Sequence, residues 1–70
     1  MRPLVFADPG EECVIKKIGG NEEIKRHLEN LGFTTGGSVT LISCLSGNVI
    51  VKVKESRIAL DEEMARKVMI

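Results

Sequence analysis

The sequence predicts a mainly β domain with short helices: a small, strongly bent barrel of about five strands, with one helix inserted after the first long strand. Three observations carry this. Short runs rich in β-branched residues recur between turn signals, the pattern of a compact β domain. One stretch alone, 21–31, repeats apolar residues at i, i+4 and i+7. A chain of 70 residues makes one domain and buries only ~60% of the surface it exposes when unfolded. So small a sheet persists by closing on itself or by being covered.

The elements follow in order. Asp8-Pro9-Gly10 is the first turn, with Pro fixing φ and Gly permitting a positive φ. Cys13 to Ile18 is the first strand, with Cys13 and Ile15 on one face. Ile18 breaks the alternation, which predicts a bulge or bend near Lys16-Lys17. Gly19-Gly20 ends it. Asn21 then caps a helix through Leu31, with Glu22 and Glu23 in the first turn where the dipole favours acids. Ile24, Leu28 and Leu31 form its apolar stripe, and Glu22 is spaced to pair with Arg26. Gly32 fits the left-handed C′ position, and Phe33 at C″ meets Leu28, as in a Schellman motif. Thr34-Thr35-Gly36-Gly37 is the exit loop.

Ser38 to Leu45 is the second strand. Gly47-Asn48 reads as a two-residue type II′ hairpin turn. That register pairs Cys44 with Val51 and Ile42 with Val53, making them core and burying Cys44. Val39 and Leu41 then face the opposite side, where the helix would cover them. Lys54-Glu55-Ser56 turns the chain into a strand over Arg57 to Leu60. Asp61 caps a short helical turn, with Glu62 and Glu63 early and Arg66 and Lys67 late, matching the dipole. Val68-Met69-Ile70 closes the sheet.

Composition excludes several functions. Ten basic side chains balance ten acidic ones, against a nucleic-acid module or a polybasic membrane surface. Two aromatic rings, Phe6 and Phe33, do not build a stacking platform. No apolar run reaches the roughly 18 residues of a membrane span, and Met1 to Asp8 lacks a signal-peptide core. The expected compartment is cytoplasmic, with Cys13 and Cys44 reduced and packed as small hydrophobes. The single histidine, His27, lies on the helix flank without a second ligand nearby in sequence. Glu11-Glu12 and Glu62-Glu63 are adjacent pairs that point to different sides, so neither makes a catalytic dyad. The glycine pairs match no phosphate-loop pattern. Lys52, Lys54 and Arg57 form a basic stripe that reads as a solvated strand face. The residues thus predict no catalytic, cofactor or metal site, and a domain whose role is to bind.

Three stretches resemble the FeoA family of small proteins that accompany the FeoB-type ferrous iron transporter. Leu4 followed by Asp8-Pro9-Gly10-Glu11 resembles the family's opening. Leu28-Glu29-Asn30-Leu31-Gly32-Phe33, then Gly36 and Val39, resembles its helix end and exit loop. Ile58-Ala59-Leu60 with Ala65, Val68 and Ile70 resembles its closing pattern. The chain departs from the pattern at Thr35, where the family often has Pro, and at Glu55-Ser56, where it often has Gly. Its loop at Gly47 is shorter than in many members.

The resemblance implies a single SH3-like barrel over residues 1–70 and a cytosolic role in ferrous iron transport. The implied partner is a FeoB-type membrane GTPase, bound by protein-protein interaction rather than by membrane insertion. Lys25, Arg26, Glu29 and Asn30, facing away from the helix stripe, are the candidate contact. No cofactor is expected beyond weak divalent metal binding, and the chain is expected to be a monomer or weak homodimer. The alternative is a transition-metal-binding protein, or a stand-alone relative of the SH3-like domain of metal-dependent repressors.

Overall fold

The computed structural model describes residues 1–70. A 3₁₀ turn (Leu4–Phe6) is followed by β1 (Glu12–Val14), β2 (Lys17–Ile18), α1 (Glu22–Leu31), β3 (Ser38–Leu45), β4 (Asn48–Val53), β5 (Ser56–Asp61), α2 (Glu62–Ala65) and β6 (Val68–Met69). Six strands appear where about five were expected, because the first long strand is divided between two sheets. β1 belongs to an antiparallel sheet of order β1-β3-β4-β5, and β2 pairs with β6. The change of partner falls between two residues. Ile15 donates to Gly37 O at 2.8 Å and accepts from the Gly36 N–H at 2.7 Å, whereas the Lys16 N–H donates to Met69 O at 2.8 Å. The bend thus lies one residue before the expected Lys16-Lys17. A strand that switches sheets at a bend makes the corner of a small barrel.

α1 forms for the local reasons the sequence supplies. The Asn21 side chain accepts from the Ile24 N–H at 2.9 Å. Gly32, at φ +109°, donates to Glu29 O at 3.0 Å, and Phe33 donates to Leu28 O at 3.0 Å, completing the Schellman pattern. Leu28 and Phe33 are fully buried, and Ile24 and Leu31 pack half-buried on the core. The Glu22–Arg26 pair does not form; the ion pairs are Arg2–Glu11 and Glu62–Arg66.

The β3–β4 hairpin corrects the sequence reading. Its loop is Ser46-Gly47, with φ +40° and +83°, rather than Gly47-Asn48. Positive φ at both central residues is the type I′ requirement, whose twist matches that of paired strands. Cys44 therefore pairs with Val49, and a bulge at Ile42 lets Leu41 pair with Val51 and Val39 with Val53. Val39 and Leu41 are core, Ile42 is half-buried, and Cys44 is exposed. The bulge, by adding one residue to β3, changes which of its side chains share a face. It gathers Val39, Leu41, Val49, Val51 and Val53 into one apolar set. The second hairpin, β4–β5, turns at Lys54-Glu55 with φ +49° and +65°. Lys54 thus lies in a turn, not on the strand face of Lys52, and β5 starts one residue earlier than expected and ends one later.

Fifteen residues are buried and all are apolar. α2 is capped by Asp61, whose Oδ1 accepts from the Met64 N–H at 2.7 Å. Beyond it, β6 lies between β2 and the N-terminal segment: the Arg2 N–H donates to Ile70 O at 2.9 Å and the Ile70 N–H to Arg2 O at 2.7 Å. Leu60, Ala65, Val68 and Ile70 close the core from this side. No helix is long and apolar enough to cross a membrane.

Candidate interaction surface

A network of hydrogen bonds fixes the surface around the chain's first residues. Glu11 Oε1 accepts from the Arg2 guanidinium at 3.0 Å and from the Asp8 N–H at 3.3 Å. Arg2 also reaches Phe6 O at 3.3 Å. The Asp8-Pro9-Gly10 turn places these groups, with Gly10 at φ +86° and the Glu11 N–H donating to Asp8 O at 3.0 Å, as in a type II turn. The Asp8 N–H and then the Arg2 charge hold the Glu11 carboxyl below its ordinary value. Cys13 Sγ lies 3.7 Å from both Glu11 O and Oε1. Partial burial, and then the Glu11 carboxylate, push the Cys13 thiol up, away from the thiolate that nucleophilic or metal chemistry uses. The sequence reading packed both cysteines in the core; Cys13 is half-buried and Cys44 exposed, and both are free.

Beside this network lies a shallow cleft formed by Met1, Arg2, Cys13, Val14, Lys16 and Ile70. Met1 is 73% and Val14 53% exposed, so the cleft presents apolar side chains with cationic ones at its rim. Sequence reasoning missed it. Val14 reads as one residue of a short strand, and the cleft exists only because Ile70 arrives from the far end of the chain to pair with Arg2.

The four α1 residues expected to form one contact divide between two faces. Arg26 and Asn30 line a groove with Glu22, Glu23 and His27, all exposed. Lys25 and Glu29 line another with Lys16, Lys17, Thr34 and Thr35. Lys16 borders both this second groove and the apolar cleft. The cleft and the Lys25–Glu29 side of α1 are therefore one continuous strip. It carries Lys16, Lys17 and Lys25 against the single acid Glu29. The structural-motif residues serve folding: Gly10, Gly32 and Gly36 hold positive φ, and Leu28, Phe33, Leu60 and Ala65 are buried, with Leu31 half-buried against them.

On the β4–β5 hairpin, Lys52 stands directly across from Arg57, and neither makes an ion pair. Nowhere do three His, Cys, Asp or Glu side chains converge.

A family model described as "FeoA domain" matches residues 2–70. The "Putative Fe(2+) transport protein A" of Methanocaldococcus jannaschii is 36% identical over 70 residues, covering 100% of this chain and 85% of that one. A crystal structure described as iron uptake regulatory protein (FeoA) superposes with a TM-score of 0.88 at 26% identity, over 97% of this chain and 90% of the other. A manganese-dependent transcriptional repressor superposes with a TM-score of 0.86 at 14% identity, over 96% of this chain but 39% of the repressor, a likeness of fold alone.

Proposed function

We propose that this chain, which belongs to the FeoA family, is a cytoplasmic accessory protein of ferrous iron transport that acts by docking on the cytosolic side of a FeoB-type membrane GTPase. The observation that carries this reading is the family match along residues 2–70. The chain then needs no chemistry of its own: it is not an enzyme, and it takes no cofactor beyond weakly held divalent cations. It reaches the membrane through its partner rather than by insertion.

The docking surface in this reading is the strip from the Met1–Val14 cleft across Lys16 and Lys17 to Lys25 and Glu29. Transient interfaces combine a small apolar anchor with a polar rim, and the strip has both. Its three lysines suit an acidic surface on the partner. Arg26 and Asn30, round the helix, are its outer margin.

The test is a titration of the transporter's cytosolic domain, and of the full transporter with and without guanine nucleotide, into isotopically labelled protein. Backbone amide shifts at Val14 to Lys17 and at Lys25 to Asn30 support the strip. Shifts confined to Lys52 to Arg57 move the site to the β4–β5 side. Absence of shifts with every form of the transporter overturns the assignment.

A further inference from the structure

We propose that β5 is a self-association edge, on which a second copy of this chain pairs antiparallel about a two-fold axis at Ala59. This surface is separate from the transporter-docking strip and does not depend on it.

The geometry follows from the hairpin. A two-residue turn makes Val53 and Ser56 a hydrogen-bonded pair, and bonded pairs then alternate along the ladder. Val51 with Ile58 and Val49 with Leu60 exchange bonds inside the hairpin, and the Glu62 N–H continues the series to Gly47 O at 2.8 Å. The N–H and C=O of Arg57 and Ala59, and the N–H of Asp61, therefore point away from β4. β5 is the last strand of its sheet, and the elements it packs against most are β4 and α2. This edge is an unpaired template for another strand.

Charge selects the occupant and the register. Arg57 is exposed, faces the like charge of Lys52 across the ladder, and makes no ion pair. Like charges directly opposite are unfavourable in a sheet. In a two-fold pairing centred on Ala59, Arg57 comes opposite Asp61 of the second copy, and Asp61 opposite Arg57 of the second copy. Both Arg57 side chains then gain a carboxylate. Asp61 spends Oδ1 on the Met64 N–H and keeps its other oxygen for this contact. Other hydrogen-bonding registers do not do this. Centring on Ile58 or Leu60 sets Ala59 against a charged residue, and centring on Arg57 or Asp61 sets like against like. Ala59, exposed and small, lets the two strands approach at the axis. On the core-facing side, half-buried Ile58 meets Leu60 of the second copy, which covers the apolar surface that the edge leaves open. One patch serving both partners is the isologous contact of a two-fold dimer.

Two measurements test this. Sedimentation equilibrium from micromolar to millimolar concentration is expected to show the mass rising toward two chains, less so in high salt because the exposed pairs are screened. Arg57→Glu is expected to remain one chain over the same range. In a Cys13→Ser/Cys44→Ser background, Ala59→Cys is expected to cross-link to itself under mild oxidation, since directly opposed residues lie within disulfide reach. Ser56→Cys, far from the axis, is not. Thermal melts establish that each variant is folded. A wild type that stays monomeric at millimolar concentration overturns the proposal. So do a folded Arg57→Glu that associates like the wild type and cross-linking as efficient at position 56 as at 59.

Discussion

Cys44 and Val49 are direct partners across the β3–β4 hairpin, yet Val49 is fully buried and Cys44 is exposed. The difference arises because β3 extends past its other neighbour. β1 pairs with β3 only over Ser38 to Thr40, so the far end of β3 is covered from one side alone. Val49 is flanked by β3 and β5, whereas Cys44 has solvent beside it.

The two thiols are therefore expected to react differently. A soluble thiol reagent labels Cys44 of native protein at once. Cys13 lags, being half-buried with its thiol held up by that burial, and its labelling accelerates as pH rises. Mass spectrometry over a time course reads both sites. Equal rates would contradict the hairpin register.

Lys54 and Glu55 occupy a turn that requires left-handed backbone at both positions, where non-glycine residues cost roughly 1–2 kcal/mol each. Lys54→Asn with Glu55→Gly supplies the residues a type I′ turn favours. The double variant is expected to be more stable by about 1–2 kcal/mol in denaturant titration, with the slope unchanged.

Thr35 precedes Gly36 in the exit loop, where the Gly37 N–H closes on Thr34 O at 2.9 Å and Gly36 has φ +90°. This is the second position of a type II turn, favourable for proline, and the Thr35 N–H makes no backbone hydrogen bond. Thr35→Pro is expected to add about 0.4–1 kcal/mol by restricting the unfolded chain. A lower melting temperature would show that the turn is of another type.

Glu11 carries a pH dependence of definite sign. Its carboxyl is held below the ordinary value by the Asp8 N–H and Arg2. The stabilisation is complete above the unfolded carboxyl's titration range and is lost as pH falls through the folded value. Wild type is expected to exceed Glu11→Gln in stability at neutral pH, with the two curves converging as the solution is acidified below about pH 4. A difference that persists at low pH would assign the effect to shape rather than charge.

Metal binding by the isolated chain is expected to be weak, since its candidate ligands do not gather. Calorimetric titration with ferrous or zinc ion should show a dissociation constant above the micromolar range, weaker than roughly −8 kcal/mol. Tighter one-to-one binding would favour the metal-binding alternative.

What the sequence disclosed depended on how local the cause was. The α1 boundaries, the Asp61 cap and the Pro9-Gly10 turn are set by neighbours within four residues, and each stands where the residues place it. The β3–β4 register was not legible. Ser46-Gly47 and Gly47-Asn48 are both plausible turns, and the choice rests on a bulge at Ile42 that brings Val39 and Leu41 into the core. The candidate surface divides in the same way. The polar flank of α1 follows from helical spacing, while the Met1–Val14 cleft requires residues from both chain ends to meet.

The pairing of β2 with β6 has a kinetic consequence. Lys17 and Met69 are partners, so the loop between them spans most of the chain and closes at a large entropic cost. The β3–β4–β5 meander can form early from near neighbours, but the seam waits until the last residues are in place. Contacts of such long sequence separation slow folding. In hydrogen exchange, the Lys16 and Gly19 amides, which bond to Met69 and Lys67 across this seam, are therefore the markers of its opening. Their exchange relative to Ile15, next to Lys16 but bonded to Gly37 just before β3, would time how the barrel shuts.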